Sequence, residues 1–282
     1  MTARDRAGLI GARRIVVKVG SSSISGENAD KIQPIVEALA AAHARGTEVV
    51  LVSSGAIATG MPYLSLAERP SDLATQQAAA AVGQNILIYR YQDSLRPFHI
   101  VAGQVLLTAG DLENPTHRSN ARRAMERLLG LRILPIVNEN DTVATHEIRF
   151  GDNDRLAALV AELIGADGLV LLSDIECLYT RPPDLPGARP IDRVHYGDDL
   201  HGFEFGSVVV NSVGTGGAAT KISAARLAAA SGVGVLVTSA DLVGAALSGA
   251  EIGTWFDPNP EPSAAPLTGP VRTAGVVAPP VG

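Results

Sequence analysis

The chain has 282 residues, 46% hydrophobic and 4% aromatic, with a formal net charge of −6 and one cysteine, Cys177. Such a chain can bury a sizeable core in one or two domains, and its acidic balance argues against the broad basic footprint of a nucleic-acid binder. A lone cysteine excludes intrachain disulfides and cysteine metal clusters, which suits a reducing cytoplasm. No apolar run reaches the ~18–20 residues of a membrane span, and Met1–Arg14 carries no secretory apolar segment.

Taken in chain order, continuously apolar runs alternate with helix-periodic segments. Ile15–Val19 reads as a strand, and Ile32, Ile35, Val36, Leu39 and Ala40 fall at helical spacing with Gly46 as the stop. Val49–Val52 is a second buried strand, followed by a long Ala/Gln-rich helix over Leu73–Leu95 and a strand over His99–Leu107. A helix near Asn120–Leu129 stops at Gly130 and leads into the strand Ile133–Val137. Leu156–Ile164 is helical, Leu169–Leu172 a strand, and the helix after Lys221 ends near Gly232 before the strand Val233–Val237. Apolar strands each followed by a helix predict a parallel sheet covered on both faces. Three stretches break the pattern. His146–Phe150 alternates like an antiparallel hairpin lip, Tyr179–Val210 is a Pro/Gly/Asp-rich irregular excursion, and 257–282 has the composition of a disordered tail.

Only three of the 23 basic residues are lysine. Two of them stand in Gly/Ser/Thr-rich turns: Lys18 in Val16-Val17-Lys18-Val19-Gly20-Ser21-Ser22, and Lys221 closing Gly214-Thr215-Gly216-Gly217-Ala218-Ala219-Thr220-Lys221. A lysine brings a compact ammonium that reaches a single phosphate oxygen, where arginine presents a wide fork. These turns read either as phosphate cradles at a strand end or helix N-terminus or as ordinary solvated lysines. Polar residues gather where strands should end: Ser53-Ser54-Gly55, Asn138-Glu139-Asn140-Asp141 and Ser173-Asp174. Gly151-Asp152-Asn153-Asp154 opens a helix. Singly, each is compatible with a turn or an N-cap. Together they mark the carboxyl edge of an α/β sheet, where ligands bind. The dinucleotide Gly-x-Gly-x-x-Gly does not follow the first strand, and no Gly-x4-Gly-Lys-Ser/Thr is present, so a Rossmann oxidoreductase and a P-loop NTPase are both disfavoured.

Read in order, Val17-Lys18-Val19-Gly20-Ser21-Ser22, Val52-Ser53-Ser54-Gly55-Ala56, Gln104-Val105-Leu106-Leu107-Thr108, Asn138-Glu139-Asn140-Asp141, Gly151-Asp152-Asn153-Asp154 and Gly214–Lys221 resemble the glutamate 5-kinase branch of the amino acid kinase family. The two acidic loops are particular to that branch. The lysine turns are shared with aspartate, acetylglutamate, uridylate and carbamate kinases. The resemblance implies a three-layer αβα sandwich with a largely parallel central sheet, carbamate kinase-like, over residues 14–256. About 14–165 would form the substrate side and about 166–256 the nucleotide side.

It also implies roles. Lys18, Lys221 and Asp154 would be catalytic, and Ser54, Asp141 and Asn153 would hold the amino acid. Lys18, Gly20, Ser21, Ser173, Asp174, Thr215, Gly216, Gly217 and Lys221 would bind ATP, with Mg²⁺ as cofactor and no residue assigned to the metal. The implied reaction is phosphorylation of the γ-carboxylate of L-glutamate by ATP, the first step toward proline. Proline would be the feedback inhibitor, glutamyl phosphate reductase a downstream partner, and the protein a homo-oligomer. The alternatives are another carboxylate or carbamate kinase of the family, or a non-catalytic paralogue that binds nucleotide or proline. Departures from the family pattern are Cys177-Leu178-Tyr179-Thr180-Arg181-Pro182-Pro183-Asp184 and Ala218. The C-terminal PUA-type domain of many bacterial relatives is expected to be missing.

Overall fold

The computed structural model describes residues 2–24, 31–144, 153–200 and 217–262. Eight strands form one sheet: β1 (Arg14–Val19), β2 (Glu48–Ser53), β3 (Ala102–Leu107), β4 (Leu134–Glu139), β5 (Gly168–Ser173), β6 (Arg193–Val194), β7 (Gly234–Ser239) and β8 (Thr254–Phe256), in the order β3-β4-β2-β1-β5-β7-β8-β6. All pairings are parallel except β7 with β8. The helices are α1 (Ile32–Ala44), α2 (Ala56–Gly60), α3 (Leu73–Leu95), α4 (Ala109–Glu113), α5 (Pro115–Gly130), α6 (Asn153–Ile164), α7 (Ala218–Ala230) and α8 (Val243–Leu247).

Strand alternation sorts the layers. Val16, Val50, Val52 and Val137 face one side, packed with Met125 and Leu129 of α5, Leu156 and Val160 of α6, and Ala225 of α7. Ile15, Val17, Val49, Leu51 and Ile136 face the other, against Ile35 and Leu39 of α1, Leu87 and Tyr91 of α3, and Val243 of α8. Each buried Val, Leu or Ile contributes about 1.5–3 kcal/mol relative to exposure. The predicted αβα sandwich with a largely parallel sheet is therefore observed.

Several boundaries differ from the sequence reading. β3 starts at Ala102 rather than His99, because Arg96–Phe98 is a 3₁₀ turn held by Pro97 and His99 takes a positive φ of 57°. α5 begins at Pro115, since the Asn114 side chain accepts from the Thr116 and His117 N–H groups and the proline suits the first helical position. Strands β6 and β8 have two and three residues, too short for a periodic signal. Residues 179–200 are irregular apart from β6, as expected. Of the predicted tail, residues 257–262 pack on the body: Asp257 pairs with Arg193 and His195, and the Asn259 N–H donates to the Ala229 carbonyl. The His146–Phe150 lip, Gly151-Asp152, Gly214–Gly216 and positions 263–282 lie outside the described residues.

A close contact sets the wall behind the carboxyl edge. The chain leaves β2 through Ser54 and Gly55, whose φ of 91° turns it into α2. There α2 presses backbone to backbone on α3. A Cβ at Gly83 would sit 1.8 Å from the Ala56 carbonyl oxygen, so only glycine admits this approach.

Candidate active site

Lys18 shares its side of β1 with Val16, so it points to the layer of α6 and α7. It is 3% exposed, so it is no solvated turn lysine but part of the strand itself. Lys221 also corrects expectation: it lies within the first turn of α7 rather than ahead of it, and it too is buried.

The two lysines meet on Asp154, in the first turn of α6. Lys18 Nζ is 2.5 Å from Asp154 Oδ1 and Lys221 Nζ is 3.1 Å from Oδ2. The Thr220 hydroxyl lies 3.2 Å from the same Oδ2 and accepts from the Gly217 N–H at 3.1 Å, which ties the α7 N-terminus to the carboxylate. Burial by itself would raise the Asp154 carboxyl. The opposing charges of Lys18 and Lys221, with their hydrogen bonds, outweigh it and hold the group well below the usual carboxylate range. Among the described residues, the cluster sets one anion between two cations at the sheet's carboxyl edge. Sequence reasoning missed Thr220 as a partner of Asp154, although its place beside Lys221 was a signal.

Beside this cluster runs a chain of amides and hydroxyls. Asn153 Nδ2 donates to Ser54 Oγ at 2.9 Å, and lies 3.2 Å from both the Ser53 carbonyl and Asn138 Oδ1. Asn153 Oδ1 is buried and meets no hydrogen-bond donor among the described residues. It is therefore an acceptor ready for a cationic or N–H group. Asn138 Nδ2 donates to Gln84 Oε1 at 2.7 Å, and the Tyr91 hydroxyl lies 3.0 Å from Ser53 Oγ. Burial pushes the Tyr91 phenol well above its ordinary value, so it stays protonated.

The remaining predicted residues fall at the same edge to different degrees. A Cβ at Gly20 would lie 3.8 Å from Lys18 Nζ, and Ser21 packs against Gly55, so the β1 and β2 exits are adjacent. Ser173 ends β5 in register with Ser239 and bonds Asp174 at 3.1 Å; no described contact joins either Ser173 or Asp174 to the lysines. Asp141 lines a cavity of about 270 Å³ with Gln84, Glu139 and Asn140, apart from the lysine cluster. Gly217 caps α7, while Thr215 and Gly216 lie outside the described residues.

Residues 13–239 match the amino acid kinase family. The sequence is 71% identical to a glutamate 5-kinase of Clavibacter sepedonicus over 258 residues, 92% of this chain and 99% of that one. It is 70% identical to a glutamate 5-kinase of Leifsonia xyli subsp. xyli over 261 residues, 93% of this chain and 97% of the relative. In three dimensions, a carbamate kinase from Giardia lamblia bound to AMP-PNP superposes with a TM-score of 0.64 at 16% identity, covering 89% of this chain and all of that one, a likeness of fold. Near-complete coverage at such identity, on a sheet of this order, means that the chain belongs to the amino acid kinase family, in its glutamate 5-kinase branch.

Proposed function

We propose that this protein transfers the terminal phosphoryl group of ATP to the γ-carboxylate of L-glutamate, giving γ-glutamyl phosphate and ADP, the first step of proline biosynthesis. The observation that carries the reading is the buried Lys18–Asp154–Lys221 cluster. Phosphoryl transfer asks for positioning and charge neutralisation more than for covalent help. A glutamate γ-carboxylate oxygen forms the new O–P bond as the bond from the γ-phosphorus to the bridging oxygen breaks, and ADP leaves with that electron pair. The nucleophile is already an anion, so no general base is needed.

In this reading Lys18 binds the transferring group from the β1 side, next to Gly20 and Ser21. Lys221 binds the nucleotide phosphates from the α7 side, together with Thr215, Gly216 and Gly217, the residues that precede the helix in sequence. Asp154 holds the two ammoniums apart at fixed positions. Because both its oxygens face cationic groups, Asp154 does not fit a metal site. Mg²⁺ would travel on the phosphate oxygens, which suit it as hard ligands. Ser54, Asp141 and Asn153 hold glutamate, with the vacant Asn153 Oδ1 turned to its ammonium. Ser173 and Asp174 belong to the nucleotide side. The substrate half is thus 14–165 and the nucleotide half 166–256.

The partners follow from the same chemistry. Proline presents glutamate's α-ammonium and α-carboxylate to the same groups and competes for them. An acyl phosphate hydrolyses readily, so a cytoplasmic glutamyl phosphate reductase would receive the product; that the protein would work as a homo-oligomer rests on the family resemblance alone. Among the described residues no helix is long and apolar enough to cross a membrane. The test is a coupled ADP-release assay across glutamate, aspartate, acetylglutamate, carbamate and uridine monophosphate. ADP release with glutamate alone supports the reading; release with another acceptor and none with glutamate overturns it.

A further inference from the structure

Three polar side chains interrupt the buried face of α3, and Gln76 spends its amide on the Pro70 carbonyl ahead of the helix. Gln84 and Tyr91 are seven residues apart, two helical turns, and both look toward the carboxyl edge of the sheet. Each reaches a residue directly behind the proposed glutamate groups. On β4, Asn138 has the same parity as Leu134 and Ile136, so its side chain faces α3 and is 1% exposed.

The Asn138 amide is held from both ends. Its Oδ1 accepts from the Glu139 N–H at 2.9 Å, a group that can only donate, and its Nδ2 donates to Gln84 Oε1 at 2.7 Å. The oxygen so fixed is also the one 3.2 Å from Asn153 Nδ2. Asn138 Oδ1 and the Ser53 carbonyl, both acceptors, together oblige Asn153 to turn its nitrogen toward them and Ser54, which leaves Oδ1 as its vacant acceptor.

We infer that Gln84 is a positioning residue: acting through Asn138, it fixes the orientation of Asn153 and so sets the affinity for the amino acid substrate. This inference deepens the glutamate reading and rests on it. Without the Gln84 acceptor, a buried Asn138 nitrogen lacks a partner, and the amide gains by rotating or admitting water. Rotation withdraws Oδ1 from Asn153 Nδ2, and a water in place of Gln84 holds the amide less firmly, so in either case Asn153 loses part of the set of acceptors that orients it. The lysine cluster is untouched, because Gln84 contacts none of its members in any described bond.

The experiment is a double-mutant cycle with Gln84→Met, similar in length and helix preference, and Asn153→Ala, assayed on the acceptor that the wild type phosphorylates. A failure of the glutamate assignment then appears in the wild type, and a failure of the Gln84 assignment only in the variants. Gln84→Met should raise the KM for the amino acid by about tenfold, a typical loss for one buried hydrogen bond, with the ATP KM within about twofold of wild type. In the Asn153→Ala background the same change should add little, because the two residues act in series. Gln84→Glu, which keeps an acceptor, should restore most of the affinity, and it carries the test if Gln84→Met does not fold. An unchanged amino acid KM in Gln84→Met, a full tenfold effect persisting in the double variant, or a Gln84→Glu variant with a tenfold-raised KM overturns the inference.

Discussion

Lys18 Nζ lies 2.5 Å from Asp154 Oδ1, a contact that joins the central strand β1 to the first turn of α6. Because Lys221 takes the other oxygen at 3.1 Å, neither lysine can be understood without the other. The carboxylate sits at a helix N-terminus, which favours its charge, and it keeps two buried ammoniums from facing each other unscreened.

Loss of either ammonium should therefore strike the chemical step. Lys18→Ala and Lys221→Ala are each expected to lower kcat by about 10²-fold or more. Lys18→Arg should also be poor, because a planar guanidinium does not fit a 3%-exposed strand position built round an ammonium. Lys31→Ala, whose lysine pairs with exposed Asp241, should leave kcat unchanged. Steady-state assays of the four variants decide this; equal activity in all would refute the phosphate role.

Asp154 gives a pH signature in stability. Its folded carboxyl lies below its unfolded value of 3.8, so its contribution is fully present above about pH 4 and is lost as pH falls toward the folded value. Urea unfolding of wild type and Asp154→Asn should show a gap of about 3–5 kcal/mol at pH 7, the usual cost of removing one partner of a buried ion pair. That gap should narrow on acidification to pH 3. A constant gap would mean that the carboxylate charge does not stabilise the fold.

Asp141→Ala and Asn153→Ala should act on glutamate rather than ATP. Each removes a partner for a charged group, worth roughly 1.5–3 kcal/mol, or about 10- to 150-fold in apparent glutamate affinity. Separate KM measurements for the two substrates test the assignment, which would be reversed by variants that weaken ATP alone.

Proline inhibition should weaken as glutamate rises, since both would occupy the groups round Ser54, Asp141 and Asn153. A proline titration at several glutamate concentrations is the measurement. Inhibition indifferent to glutamate would locate proline elsewhere on the molecule.

The α2–α3 contact predicts a sharp contrast between two glycines. Gly83→Ala drives a Cβ to 1.8 Å from the Ala56 carbonyl and should cost about 1–3 kcal/mol or more as α2 is displaced. Gly130→Ala meets nothing within 4 Å at the end of α5 and should be neutral or stabilising by up to about 1 kcal/mol. Comparable thermal midpoints for the two variants would contradict the close approach.

What the sequence determined by itself was whatever depends on short-range pattern. Runs such as Ile15–Val19 and Leu169–Leu172 are apolar at every position because both faces of a central strand are covered, so a parallel sheet between helices was legible before any contact was known. Leu73–Leu95 was legible as a helix because it is rich in Ala and Gln, both good helix formers. Lys18 and Lys221 stood out through the scarcity of lysine and the Gly/Ser/Thr-rich turns around them. Only the tertiary structure decided which way these groups face and what they touch. Lys18 turns to α6 because strand parity puts it beside Val16, and Asp154 becomes the partner of both lysines because α6 and α7 lie on that same face. Gln84 read as one more polar residue in an Ala/Gln-rich helix, and its bond to Asn138 spans 54 positions of sequence. Strands β6 and β8 exist because a neighbour's edge offers hydrogen bonds, which no two- or three-residue pattern can announce. Periodicity is written along the chain, whereas partnership across the sheet is created only when distant segments are packed together.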